Sequence, residues 1–400
     1  MNKLILRISC LLLIGGMLMS CNEDESPAPI VATESCETIL NKEVALHPDK
    51  ELFQSIIDEN TTPESLVGTL ALVKDGDGFW MGAAGKANLE SGQEMVPCDV
   101  GFIASISKVF TAATTYRLID KGILSIDDPA RDYLSAEIVE QVANVKEVTI
   151  AQLLSHTSGI PDFITDEYDA DRLNSDAKLF TNENILEYIY GQEADFGVGE
   201  RYSYSNTNFT LLSLILENAS GKDFQTLYQE EIFDPLGLSS AYYGEGAAIF
   251  PPNVIEGYVD PEDNGNFINS KFLYREELGT GGDGGIAINT YDLAIFFESL
   301  LEGKLISSSS LDQMTTYVNI PSDEQVPELG QFQNGFGIEK YDLPFGTALG
   351  HTGLIDGFSS FAFYFPETGN TVILINNSAS LSGVGSQVSI LTEILQIISQ

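Results

Sequence analysis

Strand-like stretches stand at the two ends of this chain and are nearly missing between them. Residues 66–74 read as a strand, Asp75-Gly76-Asp77-Gly78 as a turn, and residues 79–85 as a returning strand. Three more strand-like stretches, 347–352, 358–365 and 371–376, come over 250 residues later. Gly-rich and Pro-Glu-Thr-Gly turns separate them, and an apolar helix over 384–399 follows. Between the two groups the signals are mostly helices and loops. A helix opens near Ser105, with Val109, Phe110, Ala113, Tyr116 and Ile119 near helical spacing, and stops at Gly122. Others are expected over 182–190 and over 206–219, the latter closed by Ser220-Gly221. This order predicts an α+β fold: an antiparallel sheet flanked by N- and C-terminal helices, with an inserted, mainly helical subdomain. The sheet-bearing part is expected over about 46–104 and 286–400, and the helical part over about 105–285.

The first residues bear on compartment. Lys3 and Arg7 precede a short apolar run from Leu11 to Met19, too short to span a membrane, which reads as a signal peptide over 1–20. Leu18-Met19-Ser20-Cys21 resembles the lipobox of bacterial lipoproteins, in which the Cys becomes the lipidated first residue. An ordinary signal peptide with a chance Cys is the alternative. Residues 21–45 open on the acidic run Asn22–Ser26 and read as a tether. The expected place is the cell envelope, on a lipid anchor at Cys21, periplasmic or surface-exposed and most simply at the outer membrane. With 59 acidic against 19 basic residues the net charge is −40, which repels phosphate backbones and argues against a nucleic-acid partner. Cys36 and Cys98 are left as one disulfide or as two free thiols. No His or Cys spacing suggests a metal site, and no cofactor is implied.

Three short patterns carry chemistry. Ser105-Ile106-Ser107-Lys108 places a hydroxyl and an amine three apart, on one face of a helix. A serine needs a base to take its proton, and a lysine is that base only when burial lowers its pKa. The flanks Phe102-Ile103 and Val109-Phe110 supply the apolar surroundings. A second S-x-x-K, Ser175–Lys178, sits in a polar stretch and is set aside. Tyr204-Ser205-Asn206 precedes a helix, so that phenol and amide face one cleft. Tyr317-Val318-Asn319 repeats the spacing in a less favourable place. His351-Thr352-Gly353 lies in a strand, where an edge can pair with an extended substrate.

S-x-x-K, Y-x-N and [HK]-T-G in this order resemble the class C β-lactamases and their penicillin-binding, D-alanyl-D-alanine carboxypeptidase, D-aminopeptidase and esterase relatives. The resemblance covers about residues 46–400. It implies a β-lactamase/transpeptidase-like fold and a serine hydrolase working through an acyl-enzyme on small peptide, amide or ester substrates. It makes Ser105 the nucleophile, Lys108 and Tyr204 its proton carriers, and Asn206 and His351-Thr352-Gly353 the substrate contacts. The backbone N–H groups of Ser105 and of Leu354, beside Gly353, are expected to form an oxyanion hole. Where class C β-lactamases carry Lys this chain has His351, which points to a carboxypeptidase-like or related envelope hydrolase before an esterase or a β-lactamase. A non-catalytic penicillin-binding or wall-associated lipoprotein is the reading from outside enzymology. His156 tempts a Ser-His-Asp reading, but its loop resembles a structural turn of the family. Asp283, among glycines, either faces the cleft or serves a tight turn, and the turn is preferred.

Overall fold

The computed structural model describes residues 36–41, 47–62, 64–172, 180–243, 254–270, 281–321 and 331–399. The signal peptide, Cys21, most of the tether and the second S-x-x-K at 175–178 lie outside the described residues.

In chain order the elements that frame the site are α1 (Cys36–Asn41), α2 (Lys50–Asn60), β1 (Gly68–Asp75), β2 (Gly78–Asn88), β3 (Gln93–Glu94) and α3 (Ser107–Asp120). α4 (Asp166–Arg172), α5 (Asn206–Ser220), α6 (Thr290–Leu301) and β4 (Val318–Asn319) follow. The chain closes with β5 (Gln331–Asn334), β6 (Glu339–Leu343), β7 (Gly346–Ile355), β8 (Phe358–Phe365), β9 (Asn370–Asn376) and α7 (Leu381–Ile398). One antiparallel sheet runs β3-β2-β1-β9-β8-β7-β6-β5-β4. The N-terminal hairpin therefore joins the C-terminal meander through β1 and β9, with Thr69 opposite Asn376 and Lys74 opposite Thr371.

Both faces of the central strands are covered, which explains why β8 and β9 read as unbroken apolar runs. Ala71, Val73, Val372 and Leu374 face α2 and α7, where Phe53, Ile57, Ile390 and Ile394 are buried. Leu70, Leu72, Ile373 and Ile375 face the opposite way, into the core shared with α3, α5 and α6. The result is three layers: a helix pair, the sheet and the helical block.

Two expectations need correction. The tether does not run uninterrupted to residue 45: residues 36–41 form α1, and Cys36, which is buried, is disulfide-bonded to Cys98. That bond pins the segment to the body of the protein. The helix expected over 182–190 is a 3-10 helix over Asn184–Ile189, entered through reciprocal Thr181–Asn184 hydrogen bonds.

Candidate active site

β7 is the element on which the cleft depends. β6 pairs with it only as far as Glu339 opposite Gly350, while β8 pairs with it through Ile355. Residues 351–355 thus keep one edge without a strand neighbour among the described residues. The 3-10 turn Ala104–Ile106 packs against this stretch. Gly353 permits the contact, because a Cβ there would stand 2.2 Å from the Ile103 carbonyl oxygen and 2.4 Å from Ser360 Oγ. The Ser360 hydroxyl also donates to that carbonyl at 2.9 Å.

Ser105 lies in the 3-10 turn rather than in α3 itself, which begins at Ser107. Side chains three apart eclipse in a 3-10 turn, and Lys108 Nζ donates to Ser105 Oγ at 3.1 Å. Ala104, just before the serine, has φ 48°. A non-glycine residue there stores about 1–3 kcal/mol of backbone strain, a feature that gathers at functional sites.

Lys108 is fully buried. Besides Ser105 it donates to Asn206 Oδ1 and to the Asp283 carbonyl oxygen, each at 2.8 Å. Its Nζ lies 5.0 Å from the centre of the Tyr204 ring. Burial brings its pKa down to about 8, against the opposing pull of Asp283, Asp162 and Glu339. The Tyr204 hydroxyl donates to Ser105 Oγ at 3.1 Å, and burial raises that phenol well above 10. The serine oxygen is thus held by a lysine that can lose a proton near neutrality and a tyrosine that keeps its own.

Asn206 opens α5. Ser205, its N-cap, makes no side-chain cap. Asp162 Oδ2 takes that place, accepting from Asn206 N at 3.1 Å and from Asn206 Nδ2 at 2.9 Å. The anion suits the helix N-terminus and turns the amide so that Oδ1 faces Lys108. Sequence reasoning gave Asp162 no role, since nothing local marks an Asp between Pro161 and Phe163 as the partner of a helix 44 residues on.

His351 is buried and sits 3.7 Å from Glu339, whose carboxylate also accepts from the Tyr341 hydroxyl. Burial lowers the imidazole below 6.5 despite Glu339, so at neutral pH it is mainly uncharged. Glu339 is the second residue that sequence reasoning passed over. Thr352 pairs with Phe361 of β8, and the Leu354 side chain is 62% exposed beside it. His156 stacks under Tyr204, ring centres 4.5 Å apart, and its Nδ1 accepts from Ser205 N at 3.2 Å. Burial drives its pKa well below 6.5. It supports the tyrosine ring and forms no triad with the serine. Tyr317 and Asn319 flank Val318 on the sheet's outer edge at β4, away from the cleft.

Among the described residues no three His, Cys, Asp or Glu side chains gather as a metal site. A cavity of about 770 Å³ lined by Val67, Lys86, Leu89, Asp260 and Ile268 shares no residue with the serine cleft.

Comparison with known proteins places these contacts in context. The family model described as Beta-lactamase matches residues 53–386. A penicillin-binding protein of Bacillus subtilis is 27% identical over 329 residues, covering 78% of this chain and 68% of the relative. A D-aminopeptidase of Cereibacter sphaeroides is 27% identical over 80% of this chain, which spans only 58% of that relative. Among solved structures, a D-stereospecific amidohydrolase from a Streptomyces species superposes with TM-score 0.73 at 26% identity, over 86% of this chain and 98% of the other.

Proposed function

The chain belongs to the beta-lactamase family and is a serine hydrolase; we propose that it cleaves amide bonds of D-amino-acid substrates through an ester on Ser105. The observation that carries this reading is the pair of 3.1 Å contacts to Ser105 Oγ, one from Lys108 and one from Tyr204. D-amino-acid chemistry is favoured because two of the relatives above are a D-aminopeptidase and a D-stereospecific amidohydrolase.

The geometry supports a specific proton path. Lys108 in its neutral form keeps two N–H bonds, and Asn206 Oδ1 and the Asp283 carbonyl hold both. Its lone pair then points at Ser105. As Ser105 Oγ bonds to the substrate carbonyl carbon, its proton passes to Lys108. The carbonyl π pair moves onto oxygen, which the N–H groups of Ser105 and Leu354 receive. A preorganised donor of this kind is worth about 10²–10³ in rate. Collapse of the tetrahedral adduct expels the amine, which takes a proton through Tyr204 and Lys108. Water then attacks the ester by the same route in reverse, with Lys108 as base. The edge of β7 at 351–355 lies open for the substrate backbone.

The same reading takes the protein to the cell envelope as a lipoprotein anchored through Cys21. The basic start, the short apolar run and Leu18–Cys21 support export and lipidation. The Cys36–Cys98 bond suits an oxidising compartment. Radiolabelled palmitate incorporation that is lost in Cys21→Ala tests the anchor.

Hydrolysis of D-alanine p-nitroanilide by wild type and Ser105→Ala tests the chemistry. A fall of about 10³ or more is expected on removing an activated nucleophile, with an acyl adduct visible by intact mass on wild type alone. Equal rates in the two proteins would sink the assignment.

A further inference from the structure

Beside Lys108, three side-chain oxygens crowd around one point. Gly281 has φ 89°, and a Cβ built on it would stand 2.5 Å from Asp283 Oδ1, 3.1 Å from Thr210 Oγ1 and 3.5 Å from Asn182 Oδ1. Asn182 Oδ1 is a buried atom with no hydrogen-bond partner among the described residues, and Asp283 Oδ1, also buried, has only the Thr210 hydroxyl and its own backbone N–H acting on its carboxylate, neither with full hydrogen-bond geometry. Buried acceptors normally have well-aligned donors, so the unpartnered Asn182 Oδ1 and the incompletely served Asp283 Oδ1 mark a place where a donor belongs. Both residues keep part of their surface open. The cluster adjoins the reacting groups: the Asp283 main chain accepts from Lys108, and Thr210 lies one turn beyond Asn206 on α5.

The surrounding charges decide which donor fits. Lys108 spends its N–H groups on Ser105, Asn206 and Asp283. Arg172 is bonded to Asp169 and Asp356, and His351 is mainly neutral. Asp162, Asp283 and Glu339 all act on Lys108 as anions. A substrate carboxylate meets no uncommitted cation among these groups, whereas an ammonium meets carboxylates and unfilled acceptors. Burial pushes the Asp283 carboxyl up to about 6, offset in part by Lys108, so it is ionised at neutral pH.

We propose that Asp283, with Asn182 and Thr210, seats the free α-ammonium of the substrate's D-amino-acid residue, so that unblocked amides are taken in preference to N-acylated ones. This rests on the hydrolase reading for its location, but binding can be measured apart from turnover. Ser105→Ala protein is titrated calorimetrically with D-alaninamide and with N-acetyl-D-alaninamide. D-alaninamide should bind roughly tenfold or more tightly, the scale of a hydrogen bond to a charged group. The preference should fall to about twofold or less in Ser105→Ala/Asp283→Asn, and in part in Ser105→Ala/Asn182→Ala. Equal affinity for the two amides, tighter binding of the acetylated one, or no heat from D-alaninamide at millimolar concentration overturns the seat, leaving the acceptors to water. Wild-type turnover of the matching p-nitroanilides separates the two ideas. Preferential binding without turnover keeps the seat and removes the hydrolase reading. Turnover of both without preference removes the seat and keeps the hydrolase.

Discussion

Replacing Asp162 by alanine should slow the enzyme while moving its pH profile in the direction that, by itself, would speed it. Asp162 Oδ2 serves two donors, Asn206 N and Nδ2. Losing a helix N-cap costs about 0.5–2 kcal/mol. Stranding a partly buried amide donor adds about 1–3 kcal/mol. A total of roughly 2–4 kcal/mol should lower Tm by about 3–6 °C in a domain of this size. Freed from Asp162, the Asn206 amide no longer holds its oxygen towards Lys108, and kcat/KM should fall about 10–10² fold, or about 1.4–2.7 kcal/mol of barrier.

The pH dependence separates this account from simple loosening. With Lys108 near 8, about one molecule in ten carries the neutral amine at pH 7, and kcat/KM should rise through a limb near pH 8. Asp162 is one of the anions that hold the lysine's pKa up. Its removal lowers that pKa, so the limb should move to lower pH as the plateau falls. The assay is kcat/KM for D-alanine p-nitroanilide from pH 5 to 10, with Tm followed across the same range. A limb that stays in place or moves to higher pH, in a variant with the expected loss of stability, refutes Lys108 as the titrating base or Asp162 as its neighbour.

Tyr204→Phe should lower kcat about 10²–10⁴ fold and leave the limb near pH 8, because the phenol itself titrates well above 10; disappearance of the limb in a pH–rate profile would transfer the titration to the tyrosine. His156 is held neutral, with its pKa far below the unfolded value of 6.5. Its contribution to stability is complete above pH 6.5 and is lost as pH falls towards the folded pKa, with a slope of up to about 1.4 kcal/mol per pH unit. Urea melts at pH 7, 6 and 5 should show that slope, flattened in His156→Gln. The Cys36–Cys98 bond spans a sequence separation of 62, for which chain entropy gives about 4 kcal/mol; Cys36→Ala/Cys98→Ala should therefore melt about 5 °C below wild type, and an unchanged Tm would assign the bond no role in stability.

Much of the fold could be read because the residues that define it are near each other in the chain. The hairpin β1–β2 announces itself by its Asp75–Gly78 turn, and β8 and β9 by apolar runs that only a sheet covered on both faces produces. The outer strands could not. β6, Glu339-Lys340-Tyr341-Asp342-Leu343, looks like a solvated loop, and only pairing with β7 makes it a strand. α1 was hidden in the same way, since six residues have no periodicity to read and a distant cysteine holds them.

The site divides along the same line. The Ser105–Lys108 contact is local, three residues apart, and the motif displays it. The lysine's other two contacts come from 98 and 175 residues away. Burial under Tyr204, itself backed by His156, depends on packing of the helical block. The identity of the base is therefore written in four residues, while its pKa is set by the whole fold. An S-x-x-K on an exposed helix would keep a lysine near 10.4, with about one neutral amine in 2,500 at pH 7. The difference between that figure and one in ten is what burial beneath the aromatic floor adds, working against Asp283, Asp162 and Glu339, and none of this is visible from Ser105 and Lys108 alone.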